Sequence, residues 1–443
     1  MAEARAERAL ALASRLLALV TGADQASVAV TIAESAYSRY THDYVTQNLE
    51  RAETTLTLTF VKDRRMGSAT TGDTTDDGFR ALARRMADST ARLPVNEEFV
   101  SLATMAKIPA GAKSSFAATV DATPDARLDA LQPVFARMRA SNIYAAGYVR
   151  TEHSAYAVAN SLGVRAAWEG TSSGMEVKAI APQTSGFASE FNRDFTAIDF
   201  AALAERAAGK ATVSPVPEDL APGTYTVILE PPALVDCINN LYYGFDLGAV
   251  RESRDSWLIG RRDTALFSPN VTIVDDWSYP LLANAPFASD GAPTQRVSLV
   301  ERGVPKNDVS STYLANKYKT KPTGHDGYPT NAVVMPGTKS RERLIAETER
   351  GILVSRTWYT RPVNSHDATI TGLTRDGVFL IEHGRLTKSL KNFRFFTSLL
   401  VALADVEFSD RLVLAESSDA PGLLAVPDAK IAKWTFSSQA SFA

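Results

Sequence analysis

The chain has 443 residues, of which 45% are hydrophobic and 22% charged, enough for two or more cores of ~100–200 residues each and unlike a disordered polymer. A formal net charge of -3 and a pI near 6.1 leave no basic footprint for phosphate neutralisation, which argues against nucleic-acid binding. The single cysteine, Cys237, excludes an internal disulfide and a cysteine-rich zinc cluster, and it points to a reducing, cytoplasmic setting.

Residues 3–20 place Leu10, Ala13, Leu16, Leu17 and Val20 at helical spacing, with Glu3, Arg5, Glu7, Arg8 and Arg15 between them. The pattern predicts an amphipathic opening helix, and its charges interrupt any signal-peptide core or spanning helix. No other apolar run reaches about 18 residues, so a soluble protein without a membrane partner is expected. Strand patterns follow at 26–32, 44–47 and 54–61, where Leu56, Leu58 and Phe60 alternate with threonines. Asp76-Asp77 opens a helix containing Phe79, Leu82 and Met86.

A stretch punctuated by proline and glycine runs from Pro94 to Pro124. A helix is predicted over 124–139, strands over 143–151 and 154–160, and a turn at Asn160–Gly163. A strand at 175–181 and a helix at 201–208 complete a second α+β layer, and Pro215, Pro217 and Pro222 mark a linker.

From Gly223 onward strand signals outnumber helical ones. Tyr225–Leu229 reads as a strand, Pro231-Pro232 starts a helix covering 233–247, and a basic turn leads to a strand at 271–274. The segment 338–350 reads as a helix with Leu344 and Ile345 on its apolar side and Gly351 as a left-handed stop before a strand at 352–358. Residues 378–381 and 385–390 form a predicted hairpin closed around His383-Gly384. No fixed-period repeat is visible, which argues against a solenoid or propeller. The expected fold class is α+β: an N-terminal α/β-layered region followed by a mostly antiparallel β C-terminal domain, divided as 1–100, 101–215 and 216–443.

Four segments carry a family resemblance: GTYTVILEPPALVDCINNLYYGFDLGAVRESRDSWLIGRRDTALFSPNVTIVDD from residue 223, SAYSRYTHDYVTQNLERAETTLTLTF from residue 35, PGTKSRERLIAETERGILVSRTWY from residue 336, and GVFLIEHGRLTKSLKNFRF from residue 377. They resemble the TldD/TldE (PmbA) family over nearly the whole chain, most strongly after residue 220. In the TldD branch of that family the helix carries His-Glu-x-x-x-His, whose histidines bind zinc and whose glutamate activates water. Counting back from the shared basic turn puts Asn239, Asn240 and Gly244 where that motif falls. An amide is a poor zinc ligand and a poor base, and glycine has no side chain.

The resemblance therefore implies the metal-free TldE branch. It implies no cofactor on this chain, zinc on a TldD-like partner subunit, and an extended peptide as substrate of the heteromer. The candidate peptide-path or interface residues are Tyr242, Tyr243, His325, Asp326, Arg356 and Trp358.

Other constellations are weaker. Of five histidines, His42, His153, His325, His366 and His383, no two stand at i, i+4 spacing, although His325-Asp326 and His366-Asp367 each pair an imidazole with a carboxylate. Cys237 lies in an apolar helical run and reads as a buried thiol rather than a nucleophile. No serine-hydrolase elbow is expected, and neither a phosphate-binding G-x-x-x-x-G-K-[ST] loop nor a G-x-G-x-x-G turn occurs. The loop 322–331 is either a connector or a shaped lip over a cleft. Residues 356–361 alternate cationic and apolar groups, as does either a half-buried strand or a peptide groove. The mixed cluster Arg251, Arg254, Arg261, Arg262, Glu252, Asp255 and Asp263 reads as a solvated or subunit-contact turn.

Two rival functions stay open at this point. One is an autonomous hydrolase using Cys237 or a metal site built from His325, His366 and His383. The other is a peptide-binding assembly protein with no peptidase partner.

Overall fold

The structure, a computed structural model, describes residues 4–418 and 422–440; Glu3 of the predicted opening helix lies outside them. Helix α1 (Arg5–Ala18) buries Ala9, Leu12, Ala13 and Leu16 against strands β1 (Gln25–His42) and β4 (Tyr144–Asn160). Strands β2 (Tyr44–Lys62) and β3 (Arg65–Thr71) extend the same sheet, and α2 (Asp76–Thr90) packs Phe79, Leu82 and Met86 onto it. The Thr75 hydroxyl caps α2 by accepting from the Gly78 amide, with Asp76 and Asp77 in the first turn where the helix dipole favours acids.

The short strands expected at 26–32, 44–47 and 54–61 are two long ones paired from Gln25↔Val61 to Thr41↔Tyr44, with a bulge between Arg39 and Tyr40. Their distal halves escaped detection because residues 46–53 of β2 are exposed, so no apolar alternation marks them. The two strands expected at 143–151 and 154–160 are likewise the single strand β4, paired with β1 on one side and β5 (Arg165–Ile180) on the other.

After the short helix α3 (Ala117–Val120), α4 (Pro124–Ala140) and α5 (Phe200–Ala211) cover β4, β5 and β6 (Ser185–Asn192). Leu131, Val134, Phe135 and Met138 meet Leu203, Ala204, Ala207 and Ala208 in this core. Residues 1–100 and 101–215 thus share one continuous run of pairing, β3-β2-β1-β4-β5-β6.

The C-terminal part follows the linker with β7 (Gly223–Leu229), α6 (Pro231–Tyr242), α7 (Leu247–Arg251), β8 (Ile273–Asp275), β9 (Val297–Glu301), β10 (Val304–Pro305), α8 (Thr312–Tyr318), β11 (Ala332–Val334) and α9 (Arg341–Ala346). Then come β12 (Arg350–Asn364), β13 (Thr369–Glu382), β14 (Arg385–Ser389), β15 (Phe393–Ser398), α10 (Leu399–Ala402), β16 (Val406–Phe408), β17 (Val413–Glu416), β18 (Leu423–Val426) and β19 (Ala429–Gln439). Strands β12, β7, β19, β15 and β13 pair in that order, and β13 returns to β12, so the five close into a ring. Strands β10-β9-β8-β11-β18-β17 continue the N-terminal sheet through the single pair Leu414↔Phe191. The large core between these layers holds Trp257, Phe245, Phe393, Phe395 and Trp434 around α6.

The α+β expectation holds, with a strand-rich C-terminal domain. The helix expected at 338–350 is shorter: Ser340 caps its start and Thr348 folds its hydroxyl back onto the Leu344 carbonyl at 2.8 Å. Gly351 is not a left-handed stop but lies inside β12, where a Cβ would come within 2.9 Å of the Thr226 carbonyl of β7. The hairpin turn at His383-Gly384 is present, with φ of 48° and 74° as a tight two-residue turn requires.

Candidate functional site: a cleft beside helix α6

Pro231 and Pro232 open α6, where missing amides cost nothing, and the helix turns Ala233, Leu234, Val235, Ile238 and Leu241 into the core. Asn239 and Asn240 are left on its half-buried side, lining a cleft of about 510 Å³. Asn240 spends its amide on the Asp236 carbonyl one turn back, at 2.8 Å. The helix then tightens through residues 243–245, and the Asp246 carboxylate accepts from the Gly248 and Ala249 amides to start α7.

Gly244 is buried, and the place of its absent side chain is taken. A Cβ there would come closer than 3.0 Å to the Trp257 indole. That ring is fixed by its nitrogen donating to the Leu241 carbonyl at 2.9 Å, and by edge contacts with Phe245 and Phe267. Ser256 donates to the Gly244 carbonyl at 2.6 Å. Asn239, Asn240 and Gly244 therefore offer two neutral amides and a filled space, a donor set that does not fit zinc.

The cleft floor is closed by Asp236. This carboxylate is 2% exposed and accepts from Ser417 Oγ at 2.7 Å, Ser418 N at 2.8 Å, Ser418 Oγ at 2.9 Å and Thr357 Oγ1 at 3.0 Å. Burial pushes its carboxyl above the ordinary aspartate range, against the pull of these donors. Asp236 and Ser417 also line a second cavity of about 260 Å³, which reaches Tyr148, Glu176, Arg356 and Trp358 between the central and C-terminal layers. Glu230, the residue before α6, is buried against both Lys210 and Arg341. Burial alone would raise its carboxyl, but the two cations together hold it below the usual range.

The predicted site residues divide among these surroundings. Asn239, Asn240, Gly244 and Tyr243 meet at the cleft, where Tyr243 is 50% exposed and its ring lies 5.3 Å from that of Tyr328. Tyr242 does not belong there: it is 1% exposed in the core, so it offers nothing to a peptide or a partner surface. His325 is buried, its Nε2 2.9 Å from Asp275 Oδ1 and its Nδ1 2.9 Å from Thr323 Oγ1, a local brace under β8. Asp326 accepts from the Ser289 amide and hydroxyl, tying down the loop 322–331. Arg356 and Trp358 face the second cavity, with the guanidinium 4.5 Å from the Phe187 ring and 3.6 Å from Asp376 Oδ2.

His325, His366 and His383 do not converge. His325 bonds Asp275, His383 pairs with Glu349 at an exposed turn, and His366 sits on an exposed loop. Among the described residues no group of three or more His, Cys, Asp and Glu side chains is arranged to hold a metal ion. Cys237 is 1% exposed, and burial raises its thiol far from the reactive range. The letters G-x-S-x-G do occur, at Gly170–Gly174, but in the middle of β5, where no strand-to-helix turn presents Ser172. No helix among the described residues is long and apolar enough to cross a membrane.

Sequence reasoning missed the role of Asp236 and the packing of Trp257 on Gly244. A lone carboxylate in the apolar run Ala233–Ile238 was the available signal for the first. No local signal placed Trp257 over Gly244, because that packing depends on a chain return of 13 residues.

The central domain of the PmbA/TldA metallopeptidases matches residues 106–214, and their C-terminal domain matches residues 222–438. TldE from Thermococcus kodakarensis has a similar structure, with a TM-score of 0.86 and 20% identity over 96% of this chain and 99% of that one. A proposed modulator of a DNA gyrase from Thermotoga maritima gives a TM-score of 0.83 and 18% identity over 96% and 99% of the two chains. One from Bacteroides thetaiotaomicron, described as a proposed modulator of DNA gyrase, gives 0.82 and 20% over 99% and 100%. No curated protein matches the sequence. Two consecutive domains of one family and a fold shared end to end place the chain in the TldD/TldE (PmbA) family.

Proposed function

We propose that the chain is a catalytically silent, TldE-like subunit that pairs with a TldD-like zinc peptidase and helps enclose the path of an extended peptide. The observation that carries this reading is the packing of Trp257 against Gly244 beside two asparagines. A histidine at position 244 would have to displace the indole, and neither Asn239 nor Asn240 supplies a metal ligand or a base. Bond cleavage then belongs to the partner, which carries the zinc. The TldE from Thermococcus kodakarensis, with a similar fold, supports the choice of branch. The setting we infer is cytoplasmic.

Co-expression with a TldD-like candidate tests it, followed by digestion of an unstructured peptide by each chain alone and by both together. Cleavage should require the partner, stop with a chelator, and accompany a stable complex. A purified lone chain that cuts the peptide in a chelator-sensitive way overturns the proposal.

A further inference from the structure

We propose that the cleft beside α6 binds the backbone of an extended, uncharged peptide stretch, using the amides that stand in place of metal ligands. The class of ligand rests on the reading of the chain as a peptidase subunit; the site itself rests on the cleft.

The cleft's charged groups are mostly committed. Asp236 takes four hydrogen bonds from Thr357, Ser417 and Ser418. Asp246 holds the Gly248 and Ala249 amides, Arg361 donates to the Thr360 carbonyl, and Asp255 sits exposed at the outer end. Asp255 apart, the uncommitted groups are neutral. Asn239 makes no side-chain hydrogen bond with a described residue, and Asn240 uses only its nitrogen, leaving Oδ1 as an acceptor. The Tyr243 and Tyr328 hydroxyls also have no protein partner among the described residues.

A carboxamide presents a donor and an acceptor together, as a peptide unit does, so Asn239 can pair with both an N–H and a C=O of a passing chain. The tilted rings of Tyr243 and Tyr328 provide contact area for side chains. A volume of about 510 Å³ lies in the range of small-ligand pockets.

The test is fluorescence anisotropy of the isolated full-length chain with a fluorescein-labelled, C-terminally amidated nonapeptide of alanine, leucine and serine. Saturable binding is expected. Asn239→Ala and Tyr243→Ala should each weaken it about five- to tenfold, and Tyr328→Phe should weaken it less. The remote exposed variant Val401→Ala should leave it unchanged. Circular dichroism confirms that each variant is folded, and Asn239→Ser replaces any that is not.

Lack of saturation, unchanged binding in both the Asn239 and Tyr243 variants, or equal displacement by a mononucleotide overturns the proposal. A chain that binds the peptide but never assembles with a zinc peptidase sinks the function proposed above and leaves this site standing. Assembly and shared activity without binding by the lone chain do the reverse.

Discussion

Trp257 occupies the space into which a side chain at Gly244 would project, and its indole nitrogen is anchored 2.9 Å from the Leu241 carbonyl. Gly244→Ala should therefore lower stability by about 1–3 kcal/mol, the usual cost of forcing atoms into a packed core. Grafting the zinc motif through N239H, N240E and G244H should leave the protein without stoichiometric zinc unless Trp257 is also made small. Thermal unfolding and metal analysis by mass spectrometry check both outcomes; zinc loading by the triple variant alone would contradict the packing argument.

Asp236 gives a pH signature. Its folded-state pKa is raised by burial above the ordinary value of 3.8, so the folded protein holds this proton more tightly than the unfolded chain. Its favourable contribution is complete below that value and is lost as pH rises through the elevated one. In Asp236→Asn that slope should vanish, so the variant gains stability relative to the parent as pH climbs from about 4 toward neutrality. Urea unfolding at several pH values measures it, and parallel curves for the two proteins would refute it.

Glu230 joins the central layer to the C-terminal one through Lys210 on α5 and Arg341 on α9. Glu230→Ala should cost about 1.5–3 kcal/mol, because it removes charge-assisted bonds from two partly buried cations. The depressed pKa of Glu230 makes its contribution present above the usual 4.5 and lost as pH falls through the lowered value. Chemical denaturation at neutral pH would show a loss below 1 kcal/mol if the pairing did not matter.

The neighbouring tyrosines should behave oppositely. Tyr242→Ala empties a core position and should destabilise by about 3–5 kcal/mol, whereas Tyr243→Ala should stay within about 0.5 kcal/mol. Only the second substitution cleanly tests the cleft, by co-purification with a zinc-subunit candidate. Equal losses of melting temperature would mean that Tyr243 is not the free side chain described above.

Cys237 should resist a thiol reagent in the native protein and react at once in denaturant, since burial both shields it and suppresses its thiolate. Rapid native labelling would reopen a nucleophilic role.

The sequence made the strand-rich C-terminal half and the hairpin at His383-Gly384 legible because turn chemistry and apolar alternation are local signals. It hid the outer halves of β1 and β2, where residues 46–53 face solvent and carry no pattern. Spacing pointed to Asn239, Asn240 and Gly244, which the structure brings together with Tyr243 at one cleft. Tyr242 was misjudged because two adjacent aromatic residues at a helix end cannot be assigned to core or surface without knowing which way the last turn faces. His325 was misread for a similar reason: its partner, Asp275, is 50 residues away on β8.

The circuit of β12, β7, β19, β15 and β13 has no loose end at which to begin unravelling. Amide protons in that cylinder should exchange only through collective opening, while those of β3, the outermost strand of the wide sheet, can escape by fraying. Helix α6 and its cleft are thus mounted on a slow-breathing hub, with the quicker motions kept at the opposite margin.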